Sequence, residues 1–198
     1  MKTLTIATTN ENKKRELKRL LCNANVKVLT IADWKIHPPN IVEDGKTFRQ
    51  NAVKKALTFS TLLGGLVLAD DSGIMVNAIF GRPGVRSARF ARAKATDKEN
   101  NLKLLKLMEK IPQKNRQATF VCVVALAENG KLLGTAEGEC KGTIGFKPEG
   151  KNGFGYDPLF TPRGKTRTFA QYEETFKNKI SHRGVALKKA KSIILKYL

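Results

Sequence analysis

Strand-like and helix-like segments alternate along the 198 residues of this chain, and the alternation predicts an α/β fold. Three observations carry that prediction. Lys2 to Thr8 (KTLTIAT) alternates and is rich in β-branched residues, as a strand is. Leu17, Leu20, Leu21 and Ala24 then recur at helical spacing. Further on, the apolar run Leu66-Val67-Leu68-Ala69 has the character of a buried strand, with two carboxylates, Asp70 and Asp71, at its carboxyl end and a Ser72-Gly73 turn to stop it. Hydrophobic residues make up 41% of the sequence and no tract is of low complexity, so residues 1–198 are expected to form one domain around a sizeable core.

The remaining elements follow in order. Val26 to Ile31 is a second strand, His37-Pro38-Pro39-Asn40 a loop, and Glu43-Asp44-Gly45 adds carboxylates before the next helix. That helix, Thr47 to Leu63, carries the apolar stripe Phe48, Ala52, Ala56, Phe59 and Leu63, with Lys55 at the border of the buried face. Gly81-Arg82-Pro83-Gly84 is a turn, and Arg82, Arg86, Arg89 and Arg92 form a solvated or salt-bridged face. Thr96-Asp97-Lys98-Glu99 is a capping box that opens a helix through Leu102, Leu105, Met108 and Ile111. Thr119 to Ala127 is apolar enough for a strand buried on both faces. Asn129-Gly130 turns it into a hairpin with Lys131 to Phe146, which Gly134, Gly138 and Gly142 are expected to interrupt. Ser181 caps a last helix with the stripe Ala186, Ala190, Ile193, Ile194 and Tyr197.

A formal charge of +20 is the outlying quantity in the composition. A basic surface attracts polyanions, whether nucleic acid or a nucleoside triphosphate. The lysines are spread along the chain, and no aromatic-interleaved basic motif of a nucleic-acid module is present, so charge alone does not choose between them. No apolar run reaches the length of a membrane span, and Met1-Lys2-Thr3 leads directly into the first strand, so neither a membrane partner nor a signal peptide is expected. Cys22, Cys122 and Cys140 are odd in number and lack metal-type spacing, which suits reduced thiols in the cytoplasm.

Four stretches carry residues suited to chemistry. Ligands of open α/β sheets sit beyond the carboxyl ends of strands, where Asp70 and Asp71 are expected. Neighbouring buried carboxylates need a cation or hydrogen bonds to offset their repulsion. A divalent metal is the simplest offset, and Mg2+ prefers oxygen ligands; a turn-capping Asp beside a solvated one explains the pair equally well. The Thr8–Lys13 segment joins a strand to a helix N-terminus, a natural place for a phosphate, with a capped helix and a solvated lysine as the alternative. In Gly153-Phe154-Gly155-Tyr156-Asp157 the glycines permit close approach of a planar ligand to Phe154, although a turn with its aromatics in the core accounts for the same pattern. Finally, His182 and Arg183 open the last helix, where cations oppose the macrodipole, so an anion or a carbonyl-rich ligand is expected beside them.

Taken in order, Thr8-Thr9-Asn10-x-x-Lys13, Phe48-x-x-Asn51-Ala52-x-x-Lys55-Ala56, Ala69-Asp70-Asp71-Ser72-Gly73, Pro83-Gly84-Val85-x-Ser87-Ala88-Arg89, Gly153-Phe154-Gly155-Tyr156-Asp157-Pro158 and Ser181-His182-Arg183-Gly184 resemble the inosine/xanthosine triphosphate pyrophosphatase family. The resemblance implies an α/β domain with a long twisted mixed β-sheet flanked by helices and a cleft between two lobes. It also implies a homodimer and Mg2+-dependent hydrolysis of ITP, dITP or XTP to the monophosphate and pyrophosphate. By matching motifs, Thr8, Thr9, Asn10, Glu11, Asn12 and Lys13, together with Lys55, would hold the triphosphate. Asp71 would be the general base and a metal ligand, Asp70 would support it at the metal, and Ser72 would touch the substrate. Phe154, Gly155, Tyr156, Asp157, Lys177, His182 and Arg183 would surround the nucleoside. Family members often carry a metal-associated Glu where this chain has Val42, and the adjacent Glu43 is expected to take its place. Two other readings stand beside this one. A basic nucleic-acid-binding protein without catalysis leaves the aspartate pair and the glycine-flanked Phe154 unexplained. A pyrophosphatase of the same fold acting on modified pyrimidine or methylated nucleotides shares the motifs.

Overall fold

A computed structural model describes residues 3–21, 26–34 and 39–197; Lys2, Cys22, Ala24, His37 and Pro38 lie outside the described residues. In chain order the elements are β1 (Thr3–Ile6), α1 (Glu11–Leu21), β2 (Lys27–Thr30), α2 (Phe48–Leu63), β3 (Leu66–Val76), α3 (Asp97–Leu107), β4 (Gln117–Glu128), β5 (Lys131–Ile144), β6 (Phe160–Pro162), α4 (Glu174–Ile180) and α5 (His182–Tyr197). The strands form a six-stranded sheet in the order β2-β1-β3-β4-β5-β6. β1 is parallel to β2 and β3 while β5 and β6 are antiparallel, so the sheet is mixed and the α/β class is as the sequence predicts. None of the described helices is long and apolar enough to cross a membrane.

The chain divides into two compact units. The first comprises Met1–Asp71, Cys122–Gly138 and Arg183–Leu198, the second Ser72–Val121 and Glu139–His182. In the first unit, alternate residues of the strands (Leu4 and Ile6, Leu66 and Leu68, Val124 and Leu126) meet Ala186, Ala190 and Ile194 of α5 in one core. Strand periodicity of two and helix spacing of four create those faces. Thr47 and Gln50 form a capping box at the start of α2. Asn129 and Gly130, both at positive φ, make the tight connection that sends β5 back along β4.

The second unit packs Ile74, Val76, Leu104, Met108, Phe120, Ile144, Phe160 and Phe169 together, with the Phe120 and Phe160 rings edge to face at 4.7 Å. Gly142 lets β5 and β6 approach closely, since a Cβ there would lie 2.2 Å from the Thr161 carbonyl oxygen. Thr96 and Glu99 form the expected capping box of α3, and Phe120 to Ala127 of β4 are all buried. Within the arginine series, Arg92 pairs with Glu99 at 2.7 Å.

Three expectations need correction. β3 does not stop at Ser72-Gly73 but runs through them to Val76, where the Ile74 amide donates to Ser87 Oγ at 2.9 Å. The glycines of β5 do not interrupt it, because Gly142 supplies close packing rather than a break. α3 ends at Leu107 rather than near Ile111, and Arg116 lies against the carbonyls just beyond its end. Its guanidinium, 1% exposed, donates to the carbonyls of Met108, Ile111, Ile144 and Gly145. It thereby takes up the carbonyls left over where the helix unwinds. Arg116→Met would strand these acceptors in the core, and urea denaturation should show a loss of about 2–4 kcal/mol. A variant within error of the parent would show that water replaces the guanidinium there.

Candidate active site

The parallel register of β1 on β3 ends at Ile6 and Leu68, and the Ala7 amide donates to the Leu68 carbonyl at 2.8 Å. Asp70 and Asp71 therefore lie mid-strand in β3, just past the point where β1 leaves the sheet. The strand end that opens space for chemistry belongs to β1 and not to β3 as the sequence suggested. Successive strand side chains face opposite ways, which separates the two aspartates despite their adjacency.

Asp70, 1% exposed, meets Lys13 Nζ of α1 at 3.1 Å and Arg183 of α5 at 3.4 Å, both through Oδ2. The Cys122 thiol of β4 donates to the same oxygen at 3.8 Å. Arg183 also forms a buried ion pair with Glu16 of α1. The cation at the α5 N-terminus is thus explained by carboxylates of the protein itself. Asp71 instead accepts from Asn51 Nδ2 at 3.0 Å and has Lys55 Nζ at 3.7 Å. Lys55 reaches Glu43 at 2.6 Å, so one ammonium is shared by two carboxylates. Asn51 Oδ1 accepts the Gly45 amide at 2.8 Å, which fixes the amide orientation toward Asp71.

These surroundings drive the two aspartates apart in acidity. Burial alone would raise the Asp70 pKa, but Lys13, Arg183 and Lys55 outweigh it and hold the group well below the carboxylate range. For Asp71 burial prevails over Lys55, Lys13 and the Asn51 hydrogen bond, so its pKa lies above the ordinary value. Burial opposes the Lys55 ammonium too, yet Asp71, Asp70 and Glu43 together raise its pKa. The Cys122 thiol is pushed up to about 12, first by burial and then by Asp70, and stays protonated as a donor.

At the β1–α1 junction, Asn10 is the helix cap: its Oδ1 accepts the Asn12 and Lys13 amides at 3.0 and 3.1 Å. Those two amides are therefore not open to an anion while Asn10 holds them. Thr8, Thr9 and Glu11 line a cavity of about 220 Å³ together with Lys14, Thr30 and Ile31.

In the second unit, Lys177 and Asp157 form an ion pair at 2.7 Å with both side chains 3% exposed. The ammonium lies 4.8 Å from the centre of the half-buried Phe154 ring. Asp157 Oδ2 also accepts the Phe154 amide at 2.8 Å, and a Cβ on Gly153 would strike that oxygen at 2.0 Å. Tyr156, expected beside the nucleoside, is buried in the core and donates its hydroxyl to the Ser87 carbonyl at 2.9 Å. His182 stacks on Phe120 at 4.6 Å. Ser72 follows Asp71 on β3 and is half-buried.

Comparison with known proteins follows the same residues. The model of the Ham1 family matches residues 4–193. The chain belongs to the Ham1 family. The dITP/XTP pyrophosphatase of Desulforamulus reducens is 48% identical to this Ham1-family chain over 191 residues, 96% of this chain and 94% of its own. That of Clostridium tetani is 43% identical over 201 residues, covering 100% and 98%. Among solved structures, a HAM1 protein from Coxiella burnetii superposes with a TM-score of 0.88 at 37% identity, over 99% of this chain and 100% of that one.

Glu43, Asp70 and Asp71, expected together at a metal, are not gathered into a three-ligand cluster among the described residues of this Ham1-family chain: Asp70 is drawn to Lys13 and Arg183, while Asp71 and Glu43 share Lys55. The donor set still suits a hard cation. Asp71 and Glu43 already share one ammonium, and Asp70 Oδ1 is buried with no hydrogen-bond partner among the described residues. Sequence reasoning gave no role to Glu16 or Asn51, although spacing points to both. Glu16 follows Lys13 by three residues on α1, and Asn51 precedes Lys55 by four on α2, so each shares a helix face with a lysine of the site.

The two aspartates should differ in sign when stability is measured against pH. Asp70, with its pKa depressed in the fold, stabilises above the ordinary value of 3.8, and that contribution is lost as pH falls through the depressed value. Asp71, with a raised pKa, stabilises in its protonated form, and that contribution is lost as pH rises through the raised value. In metal-free calorimetry Asp71→Asn should therefore melt higher than the parent at neutral pH, with the gap closing below about pH 4. Asp70→Asn should melt lower. A lower melting point for Asp71→Asn at neutral pH would mean that Lys55 outweighs burial.

Proposed function

We propose that this chain, as one catalytic domain, hydrolyses non-standard purine nucleoside triphosphates (ITP, dITP and XTP) to the monophosphate and pyrophosphate. Relatives named dITP/XTP pyrophosphatase, 48% and 43% identical over nearly the whole chain, support the substrate class. The observation that carries the reading is Asp71: a buried carboxylate of raised pKa, oriented by Asn51 and flanked by a lysine. A base of raised pKa is better matched to taking a proton from water near neutral pH.

Attack on a triphosphate is limited by charge and by position. Water attacks the α-phosphorus, Asp71 accepts its proton, and pyrophosphate leaves. Lys55 and Lys13 neutralise the developing phosphate charge, and Thr8 to Lys13 with its helix cap contacts the phosphates. Asp71 and Glu43, with Asp70 Oδ1 in support, would hold Mg2+, which supplies positive charge and a bound water of lowered pKa. Lys13 and Arg183 keep Asp70 ionised, and Glu16 fixes Arg183. Phe154 stacks on the purine, and Lys177 and His182 are donors suited to a 6-keto group and unsuited to the 6-amino group of adenine. We place the enzyme in the cytoplasm, in keeping with free Cys122 and Cys140.

We also propose a homodimer. Phe80 is 94% exposed at a φ of +57°, an uncommon conformation for a bulky side chain, and Met75 nearby is 40% exposed. Their burial against a second copy would remove this apolar exposure. Phe80→Asp should shift the species seen by analytical ultracentrifugation from dimer to monomer; an unchanged dimer would move the interface elsewhere.

A pyrophosphate-release assay with ITP, XTP, dITP, GTP and ATP tests the reaction directly. Asp71→Asn should lower kcat about a hundredfold or more while the protein stays folded. Hydrolysis in 18O-water should label the monophosphate; label in orthophosphate would mean a phosphatase instead. Lys177→Met should narrow the preference for ITP over ATP, and a fully retained preference would remove Lys177 as a reader of the base.

A further inference from the structure

Gly155 is gripped by both of its backbone polar groups from a single helix. Its N–H donates to Asp97 Oδ2 at 2.7 Å, and its carbonyl accepts from Asn101 Nδ2 at 2.9 Å. Asp97 and Asn101 stand four residues apart near the start of α3 and so share one face of it. Neither contact serves the helix, whose N-terminus is already satisfied by Thr96 and Glu99. Asn101 is 7% exposed, yet its Oδ1 is buried without a hydrogen-bond partner among the described residues. A residue kept for packing alone avoids such a cost.

The gripped residue adjoins Phe154, and the glycines on both sides of that ring have φ values of +77° and +62°. Such residues carry no Cβ to restrain them. On its other side Phe154 is tied to Asp157 through its own amide, and Lys177 covers the ring. The backbone that carries the ring is thus held by two anchors, one from Asp157 at Phe154 and one from α3 at Gly155.

We propose that Asp97 and Asn101 are positioning residues that set the pose of Phe154 as the stacking platform for the base, and so govern affinity for the nucleoside rather than the rate of bond cleavage. The inference rests on the assignment of Phe154 to the base made above. Without the α3 anchor the ring samples orientations that must be surrendered on binding, which weakens binding and leaves the phosphate chemistry intact.

The test uses Asp97→Ala, Asp97→Asn and Asn101→Leu, each alone and combined with Phe154→Ala. Asp97→Ala and Asn101→Leu should raise KM for ITP about tenfold with kcat within about twofold of the parent. Asp97→Asn keeps an oxygen that accepts the Gly155 amide and should restore the parent KM. In the Phe154→Ala background the α3 variants should add nothing, since they act through the ring. Hydrogen exchange at the Gly155 amide, followed by NMR without substrate, should accelerate in Asp97→Ala and not in Asp97→Asn. Should Asn101→Leu fail to fold, the Asp97 pair carries the test. An unchanged KM with faster exchange, a loss confined to kcat, or full additivity with Phe154→Ala would each overturn the proposal. A parent protein that releases no pyrophosphate from ITP would overturn the underlying assignment of Phe154 as well, an outcome distinct from an active parent whose variants lack this pattern.

Discussion

Two carboxylates on consecutive residues of a buried strand are the constraint on which the first unit depends. Taking an ionised carboxylate out of water costs several kcal/mol, so neither aspartate is tolerable there without partners. The chain supplies them from four elements. α1 brings Lys13, α5 brings Arg183, β4 brings the Cys122 thiol, and α2 brings Asn51 and Lys55. Each helix is held to the core by an apolar face and extends a polar residue from its edge, so the packing of the hydrophobic core decides where the charges stand.

The partners are unequal, and the inequality underlies the roles proposed for the two residues. Asp70 is enclosed by two cations and is the fixed negative charge of the site. Asp71 shares one lysine with Glu43 and is left at a raised pKa. Environment separates an acid–base group from a structural one even when the residue type is the same and the residues adjoin. The second unit applies the same rule with one ion pair, Lys177–Asp157, whose buried charges orient the Phe154 ring and its backbone.

The charge of +20 fits this arrangement. The strongly buried cations Lys177 and Arg183 are spent on carboxylates, and Arg116 on carbonyls, so it is the remaining lysines and arginines that give the surface its basic field. Such a field raises the local concentration of a polyanionic substrate and is screened by salt.

Periodicity and turn chemistry made much of the fold legible in the sequence alone. The α3 capping box, the Asn129-Gly130 hairpin and the apolar β4 follow from local rules that neighbouring residues satisfy among themselves. The motifs also marked Asp71, Lys13, Lys55 and Phe154, since the residue types and their family order are visible in one dimension. Other features depend on partners distant in the chain. Ser72-Gly73 resembles a turn locally, but β3 continues through it because pairing and the Ser87 hydroxyl support extended backbone there. α3 stops at Leu107, and the Met108 and Ile111 carbonyls beyond its end are taken by Arg116. The sequence placed Arg183 beside a ligand, whereas Glu16, 167 residues away, and Asp70, 113 away, hold it. Hydrogen bonds and buried charges act over a few ångströms of space whatever the separation along the chain, so only the tertiary structure decided which aspartate each cation serves.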